Sequence, residues 1–340
     1  SAKEYLRGIF SFSVLPGTYT LVTDIRNIES NRRNFDKSRT VTVKDFSATP
    51  SLSDIFFSYS ESSADDSLIR LTDFGEVLPL GSNVFSSVLV HTGATPRESV
   101  NVSYKISGGT IGDFDTTTII SGHPSASEFI PVSGLSISDH DTNAAILHLH
   151  RSPDHSASYL VRWRIQGDTL PEGQYEEKVF VTSGASHTEQ VRRFSVRWID
   201  MPRSLRSMER AVEVLLYIAP DSVMNALHHL HGDDLERAFR QFWKDRDPTP
   251  HSAYNEAMAE YYRRVDHAVS AFATIGQDDG FKTERGRAYI IYGAPDKTER
   301  AFDSSGRQTE LWYYTALKKR LVFVDQAHRG DYRLVSIDDL

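Results

Sequence analysis

The hydrophobic pattern of this chain changes period once, near Trp198, and that change governs what it can fold into. Before it, short runs rich in Val, Ile, Phe, Tyr and Thr alternate with clusters of Gly, Pro, Asn, Asp and Ser. β-branched and aromatic runs bounded by turn residues are the signature of strands. The clearest are Ile9 to Val14, Tyr19 to Ile25, Thr40 to Val43, Phe85 to Val90, Val100 to Ile106, Ala145 to His150, Tyr159 to Ile165, Tyr175 to Val181 and Arg193 to Trp198. Their regular spacing predicts antiparallel, immunoglobulin-like sandwich modules.

An internal echo refines this. Leu15-Pro16-Gly17-Thr18-Tyr19 returns as Leu170-Pro171-Glu172-Gly173-Gln174-Tyr175. In immunoglobulin-like sandwiches a tyrosine near the start of the sixth strand hydrogen-bonds back to the chain at a corner. Tyr19 and Tyr175 fit that place, although two ordinary hairpin turns would use the same Pro and Gly residues. On the corner reading, the second copy has enough β sequence ahead of it for a whole sandwich. The first has enough for one strand. The expected organisation is a partial β-sandwich unit (its last strands) at 1–47, an immunoglobulin-like sandwich at 48–198, and a third domain at 199–340. The missing strands of the first unit are expected from a longer native protein or from another chain, because an unpaired sheet edge is a liability.

Beyond Trp198 the period becomes helical. Ser207 suits an N-cap for a helix to about Ala219, with Met208, Val212, Leu215 and Leu216 inward. Asp221 starts a second, ending at Gly232. Asp233 and Glu236 form a capping-box-like start for a third, which buries Leu235, Ala238, Phe239 and Phe242. Asp247-Pro248-Thr249-Pro250 interrupts the helices. The fourth and longest places Tyr254, Met258, Tyr261, Val265, Ala268 and Phe272 on one face. Strands are expected at Ala288 to Tyr292, Glu310 to Tyr314, Leu321 to Val324 and Tyr332 to Val335. The fold class is therefore multi-domain: all-β sandwich modules, then an α+β domain of about four helices and a small antiparallel sheet.

The C-terminal domain carries a dense aromatic and polar block. It runs Gln241-Phe242-Trp243-Lys244-Asp245-Arg246-Asp247-Pro248-Thr249-Pro250, then Asn255-Glu256 and Glu260-Tyr261-Tyr262-Arg263-Arg264-Val265. It continues as Gly280-Phe281-Lys282-Thr283-Glu284-Arg285-Gly286-Arg287-Ala288-Tyr289-Ile290-Ile291-Tyr292-Gly293-Ala294-Pro295-Asp296. It ends with Phe323-Val324-Asp325 and Gly330-Asp331-Tyr332-Arg333-Leu334. Over roughly 205–338 the sequence resembles the GWxTD domain, a family of extracytoplasmic bacterial proteins. The resemblance implies a setting and not a reaction. Here Phe281 stands where the motif has Trp, and Glu284 where it has Asp. Lengthening a catalytic carboxylate by a methylene displaces it by about 1 Å, which can cost ~100-fold in rate. The exchange favours a structural turn that holds Arg285 or Arg287. The motif and interface candidates are Trp243, Asp247, Tyr261, Arg263, Arg264, Phe281, Thr283, Glu284, Arg285, Arg287 and Trp312.

Other chemistry is thinner. Arg285 to Gly293 lacks phosphate-loop spacing, and no nucleophile elbow occurs. His148 and His150 share a strand face, with Asp154 and His155 a turn later; they are the weak metal candidates. His228 and His231 lie three apart on a helix, where the dipole at its end also accounts for them. Carboxylates for a glycan-processing reaction would come from Glu256, Glu260, Glu284 and Asp296. Phe242, Tyr262, Tyr313 and Tyr314 join Trp243, Tyr261 and Trp312 as aromatics for a partner platform or a core. A net charge of −8 argues against nucleic-acid binding. The absence of cysteine excludes disulfides and thiolate sites. No stretch reaches membrane-span length. These readings give a non-enzymatic extracytoplasmic structural or interaction protein with no cofactor. Its expected place is an extrinsic periplasmic subunit that packs on a membrane-protein complex. The alternative is a carbohydrate- or peptidoglycan-binding or -processing protein.

Overall fold

The computed structural model describes residues 12–340 apart from 28–29, 32, 48, 60–66, 73–75, 110–117, 142–143, 153–156, 168 and 275. Contacts divide the chain into two compact units, Ser1–Trp198 and Ile199–Leu340.

The first unit is all β. Its strands are β1 (Gly17–Arg26), β2 (Arg33–Val43), β3 (Ser51–Leu52), β4 (Phe56–Tyr59), β5 (Leu68–Arg70), β6 (Val77–Pro79), β7 (Asn83–His91), β8 (Val100–Gly109), β9 (Thr118–Gly122), β10 (Phe129–Asp141), β11 (Ala144–Arg151), β12 (Ser158–Gln166), β13 (Gly173–Ser183) and β14 (Ser186–Arg197). One sheet has the order β3-β7-β12-β10-β11-β5, with β4 also on β7; the other has β6-β14-β13-β8-β9. Period-two burial explains why they stack. Tyr175, Val179 and Val181 on β13, and Phe194 and Val196 on β14, are buried with Val84, Val88, Val161 and Trp163 of the facing sheet. Tyr104 stacks on Trp163 across the gap at 4.8 Å, and Phe57 meets Phe194 edge-on at 5.2 Å. β10 changes partner along its length. Its start pairs with β12, and beyond Pro131, with a register shift between Val132 and Gly134, it pairs with β11. A second small core of Ile69, Val132, Leu147, Leu149 and Leu160 is buried among β5, β10, β11 and β12.

Both echo tyrosines make the corner bond. Tyr175 Oη donates to the Pro171 carbonyl at 2.7 Å, and Tyr19 Oη donates to the Leu15 carbonyl at 2.7 Å. The strand pairs agree in register as well: Gly17 opposes Val43 and Tyr19 opposes Val41, as Gly173 opposes Val196 and Tyr175 opposes Phe194. The surroundings differ. β1 and β2 form a two-stranded ribbon whose one face carries Tyr19, Leu21, Val41 and Val43, with Arg39 opposite Leu21, and whose other face carries Thr18, Thr20, Thr40 and Thr42. Tyr175 is 1% exposed, whereas Tyr19 is 40% and Val41 45% exposed. The strand expected at Ile9 to Val14 lies largely outside the described residues, and Phe12 to Val14 are not in a strand.

The second unit is α+β. Its helices are α1 (Met208–Glu213), α2 (Asp221–His228), α3 (Gly232–Lys244), α4 (Glu256–Ala271) and α5 (Glu284–Tyr292). Its four strands, β15 (Lys297–Phe302), β16 (Gln308–Tyr314), β17 (Lys319–Asp325) and β18 (Tyr332–Asp339), form an antiparallel sheet in sequence order. One core joins them, with Phe239, Phe242 and Trp243 from α3, Tyr261, Tyr262 and Val265 from α4, and Trp312, Leu321 and Phe323 from the sheet.

Three expectations need correction here. Ala288 to Tyr292 belong to α5 and not to a strand. Ile290, Ile291 and Tyr292 favour strands, but Thr283 caps a helix and Gly293, at φ +83°, ends it. The second helix stops at His228; Gly232, at φ +55°, opens the third helix, whose N-cap is His231 without a side-chain bond. Leu216 is exposed, because the helix tightens to a 3₁₀ turn at Val214–Tyr217 and turns this residue outward.

Tyr175→Phe is expected to cost the first unit about 1 kcal/mol, the worth of one net hydrogen bond, and Tyr19→Phe on the exposed ribbon less than about 0.5 kcal/mol. Urea unfolding of the two variants checks this. Equal midpoints for Tyr175→Phe and wild type would remove the corner as a stabilising contact.

Candidate functional site

The motif segment builds a clasp between α5, α4 and the sheet. Its tightest contacts involve two glycines. A Cβ on Gly280 would lie 2.2 Å from the Ala268 carbonyl oxygen of α4, and one on Gly286 would lie 2.0 Å from the Gly280 carbonyl oxygen. Backbone meets backbone at both places, so only glycine fits. Between them, Thr283 Oγ1 donates to the Gly280 carbonyl at 2.7 Å and accepts from the Gly286 N–H at 3.1 Å. That double bond caps α5 and sets its direction. Phe281 is fully buried beneath it, and its carbonyl accepts from Tyr217 Oη at 2.8 Å.

Glu284 and Arg285 reach from α5 to the sheet. Glu284 Oε2 accepts the Leu334 N–H of β18 at 2.6 Å, and Arg333 approaches Oε1 at 3.4 Å. Arg285 donates to Glu310 at 3.3 Å and to the Gly330 carbonyl at 3.3 Å, with its guanidinium 4.2 Å from the Tyr332 ring centre. Glu310 also accepts from Trp312 Nε1 at 2.6 Å. On the other side of the clasp, Arg210 and Lys282 each bridge Asp279 and Glu213 at 2.8–3.3 Å. Burial opposes charge on Asp279, but hydrogen bonds from Arg210 and Lys282 outweigh it and hold the carboxyl below the usual range. Asp325 behaves likewise. Desolvation pushes it up, and the N–H groups of Gly330, Arg329 and Ala327 more than offset this.

The remaining candidates serve local structure. Trp243 and Tyr261 are buried side by side at 5.5 Å, and Tyr261 Oη donates to the Val214 carbonyl. Burial raises the hydroxyls of Tyr261 and Tyr262 far above their usual range. Of the aromatics considered for a platform, Phe242, Trp243, Tyr261, Tyr262, Trp312 and Tyr314 lie in the core and Tyr313 is half-buried. Asp247 accepts from the Thr249 N–H at 2.9 Å and shapes the turn before α4. Arg263 donates to Asp200 and to Tyr254 Oη, and Arg264 pairs with Glu260 at 2.7 Å. Arg287 is exposed, with its guanidinium 5.9 Å from the Tyr217 ring. Glu256 accepts from Thr249 Oγ1, and Asp296 accepts the Thr315 N–H at 2.6 Å. An open cavity of about 530 Å³, lined by Arg203, Ser204, Arg210, Asp266, His267 and Ser270, holds none of the candidate glycan carboxylates.

His150 Nε2 shares a hydrogen bond with Ser136 Oγ at 2.9 Å. Asp154 and His155 lie outside the described residues, and among the described residues no group of three metal-binding side chains converges. Sequence reading missed Glu310, Asp279 and Arg210, which contact the motif segment, and gave no role to Asp325, which holds the turn that carries Gly330. Distance along the chain hid the pairs Arg285–Glu310 and Arg210–Asp279, which only the fold brings together, whereas Asp325 and Lys282–Asp279 act locally, within their own turns.

Residues 179–335 match the GWxTD domain family. The match begins inside β13 and takes in the clasp, so the glycine contacts, the Thr283 cap and the Glu284–Leu334 bond are the architecture of the GWxTD segment in this chain. No curated protein matches the sequence. Among solved structures, a family 123 glycoside hydrolase from Clostridium perfringens has 13% identity, a TM-score of 0.20, and covers 69% of this chain. This chain spans only 38% of that hydrolase. Spo0M, a sporulation control protein from Bacillus subtilis, has 8% identity over 84% of this chain and 91% of its own, at TM-score 0.21. AggA, the major subunit of aggregative adherence fimbriae type I from Escherichia coli, has 11% identity over 44% of this chain and 98% of its own, at TM-score 0.18. Scores this low carry no argument.

Gly286→Ala is expected to cost the second unit more than about 3 kcal/mol, because a backbone contact cannot yield as a side chain does. Thr283→Ala is expected to cost about 1 kcal/mol through the lost cap, with Thr283→Ser near wild type. Thermal unfolding monitored at the buried tryptophans measures all three, and an unperturbed Gly286→Ala would refute the backbone contact.

Proposed function

We propose that this chain is a non-enzymatic extracytoplasmic structural and interaction protein, an extrinsic subunit that packs on a membrane-protein assembly. On this reading the first unit is built of immunoglobulin-like sandwich modules, and the GWxTD segment is a scaffold. One observation carries the reading: the largely apolar face of the β1–β2 ribbon, edged by Arg39 opposite Leu21, is exposed at Tyr19, Leu21 and Val41. A two-stranded ribbon is marginal alone in water and gains stability when its apolar face is covered. The chain holds its own comparison. The β13–β14 pair repeats the corner and the register, and its matching face is buried against a second sheet. The ribbon has the form of an element that receives protein.

Further support comes from the motif residues. Thr283, Glu284 and Arg285 spend their polar atoms on the cap, on Leu334 and on Glu310 and Gly330. A side chain already committed to the backbone of its own domain is poorly placed to move protons for a substrate. No described helix is long and apolar enough to cross a membrane.

Gentle detergent extraction from the source membranes, followed by mass spectrometry of the co-purifying bands, tests the proposal. The expected result is a stoichiometric membrane complex that is lost when Leu21 and Val41 are both changed to Asp, with the unfolding midpoints of both units unchanged. Recovery of the wild-type chain alone in the soluble fraction would overturn it.

A further inference from the structure

The sandwich of the first unit encloses one carboxyl group whose surroundings are unlike those of any carboxylate in the clasp. Glu177 sits mid-way along β13 on the inward face, between Tyr175 and Val179. Its sequence gives a signal: Tyr175, Glu177, Val179 and Val181 alternate with outward residues, so a charge occupies an apolar period-two stripe. The side chain is fully buried. It crosses to the opposite sheet, where Oε2 accepts from Ser86 Oγ on β7 at 2.9 Å and Oε1 accepts from Trp163 Nε1 on β12 at 3.1 Å. Ser86 is itself fully buried, and Trp163 is 1% exposed. The two sheets therefore meet through a polar bridge set in an apolar core.

We propose that Glu177 is a proton-operated latch between the two sheets: neutral, it holds β13 against β7 and β12, and ionised, it loosens that contact.

The geometry supplies the reason. An ionised carboxylate buried between apolar side chains needs charge-assisted donors, and both direct donors here are neutral. The cation facing it is Arg192, opposite Glu177 on β14. Arg192 donates to the Ile55 carbonyl and lies over the Phe57 ring, with its guanidinium 4.6 Å from the ring centre. Its charge favours ionisation but does not outweigh burial. Desolvation raises the Glu177 carboxyl to about 7, against the lowering effects of Ser86, Trp163 and Arg192. On β8, Tyr104 stacks over Trp163, and burial first, then the carboxylates of Glu128 and Glu177, push its hydroxyl up. Glu76 and Asp54 act on Arg192 from further off.

The sign follows from linkage. A carboxyl whose folded pKa lies above its unfolded one binds its proton more tightly when folded. The stabilisation is complete below the ordinary carboxyl range and is lost as pH rises through about 7. Within that window the unfolding equilibrium of the sandwich rises up to about tenfold per pH unit from this one group.

Carbon-13 NMR of the whole chain, labelled at the glutamate carboxyls, tests the titration, with Glu177→Gln for assignment. One resonance should titrate near pH 7 and be absent from E177Q. Amide exchange in β13, corrected for its intrinsic pH dependence, tests the loosening: protection should fall between pH 5 and 8 in wild type and stay level in E177Q. The proposal is overturned if no glutamate titrates above pH 6. It is also overturned if the exchange slope is the same in both proteins. Should E177Q fail to fold, the wild-type carbon-13 titration alone decides.

Discussion

The second unit depends on the contact between two backbones at Gly280 and Gly286. Because no side chain separates them, α5 lies directly on the 3₁₀ turn before it and on the end of α4. Once α5 is fixed there, Glu284 and Arg285 fall opposite β18 and Glu310, and the helical layer closes on the sheet. The residues that make the motif recognisable are thus the residues that make the fold possible. Phe281 fills the space under the turn as an apolar ring, and its backbone carbonyl makes the polar contact with Tyr217. Glu284 reaches the backbone of an edge strand, a use that tolerates a longer carboxylate better than proton transfer would.

Much of this was legible in the sequence. The strand runs of the first unit other than Ile9 to Val14, the change of period at Trp198 and the long helix with Tyr261, Val265 and Ala268 inward all follow from spacing. The echo of Leu-Pro-Gly before a tyrosine pointed to a specific hydrogen bond, and both copies make it. The element whose type was misread was Ala288 to Tyr292. Its residue types favour a strand, and what decides for a helix is a cap at Thr283 and a contact at Gly286 that only tertiary structure explains. The partners of the motif were illegible for a related reason. Nothing in the local sequence of Glu310 says that Arg285 will come to it. The aromatic residues were ambiguous until their burial was known, because tyrosine and tryptophan serve cores and interfaces equally well.

The first unit shows how the same local design has two outcomes. Gly173 and Tyr175 start a strand pair whose apolar face is sealed by a facing sheet. Gly17 and Tyr19 start one whose face stands open. The difference lies in what covers each pair, and it is the physical ground for reading the chain as a receiver of protein partners. In that view the two units divide the work. The GWxTD segment supplies a tightly closed body, and the ribbon supplies an unsatisfied surface.

The most direct test of that division is hydrogen exchange read by mass spectrometry, comparing the chain alone with the chain recovered from its source membranes. The account predicts added protection over residues 17–43 and no change over 280–293. Added protection in the motif segment with an unchanged ribbon would contradict it.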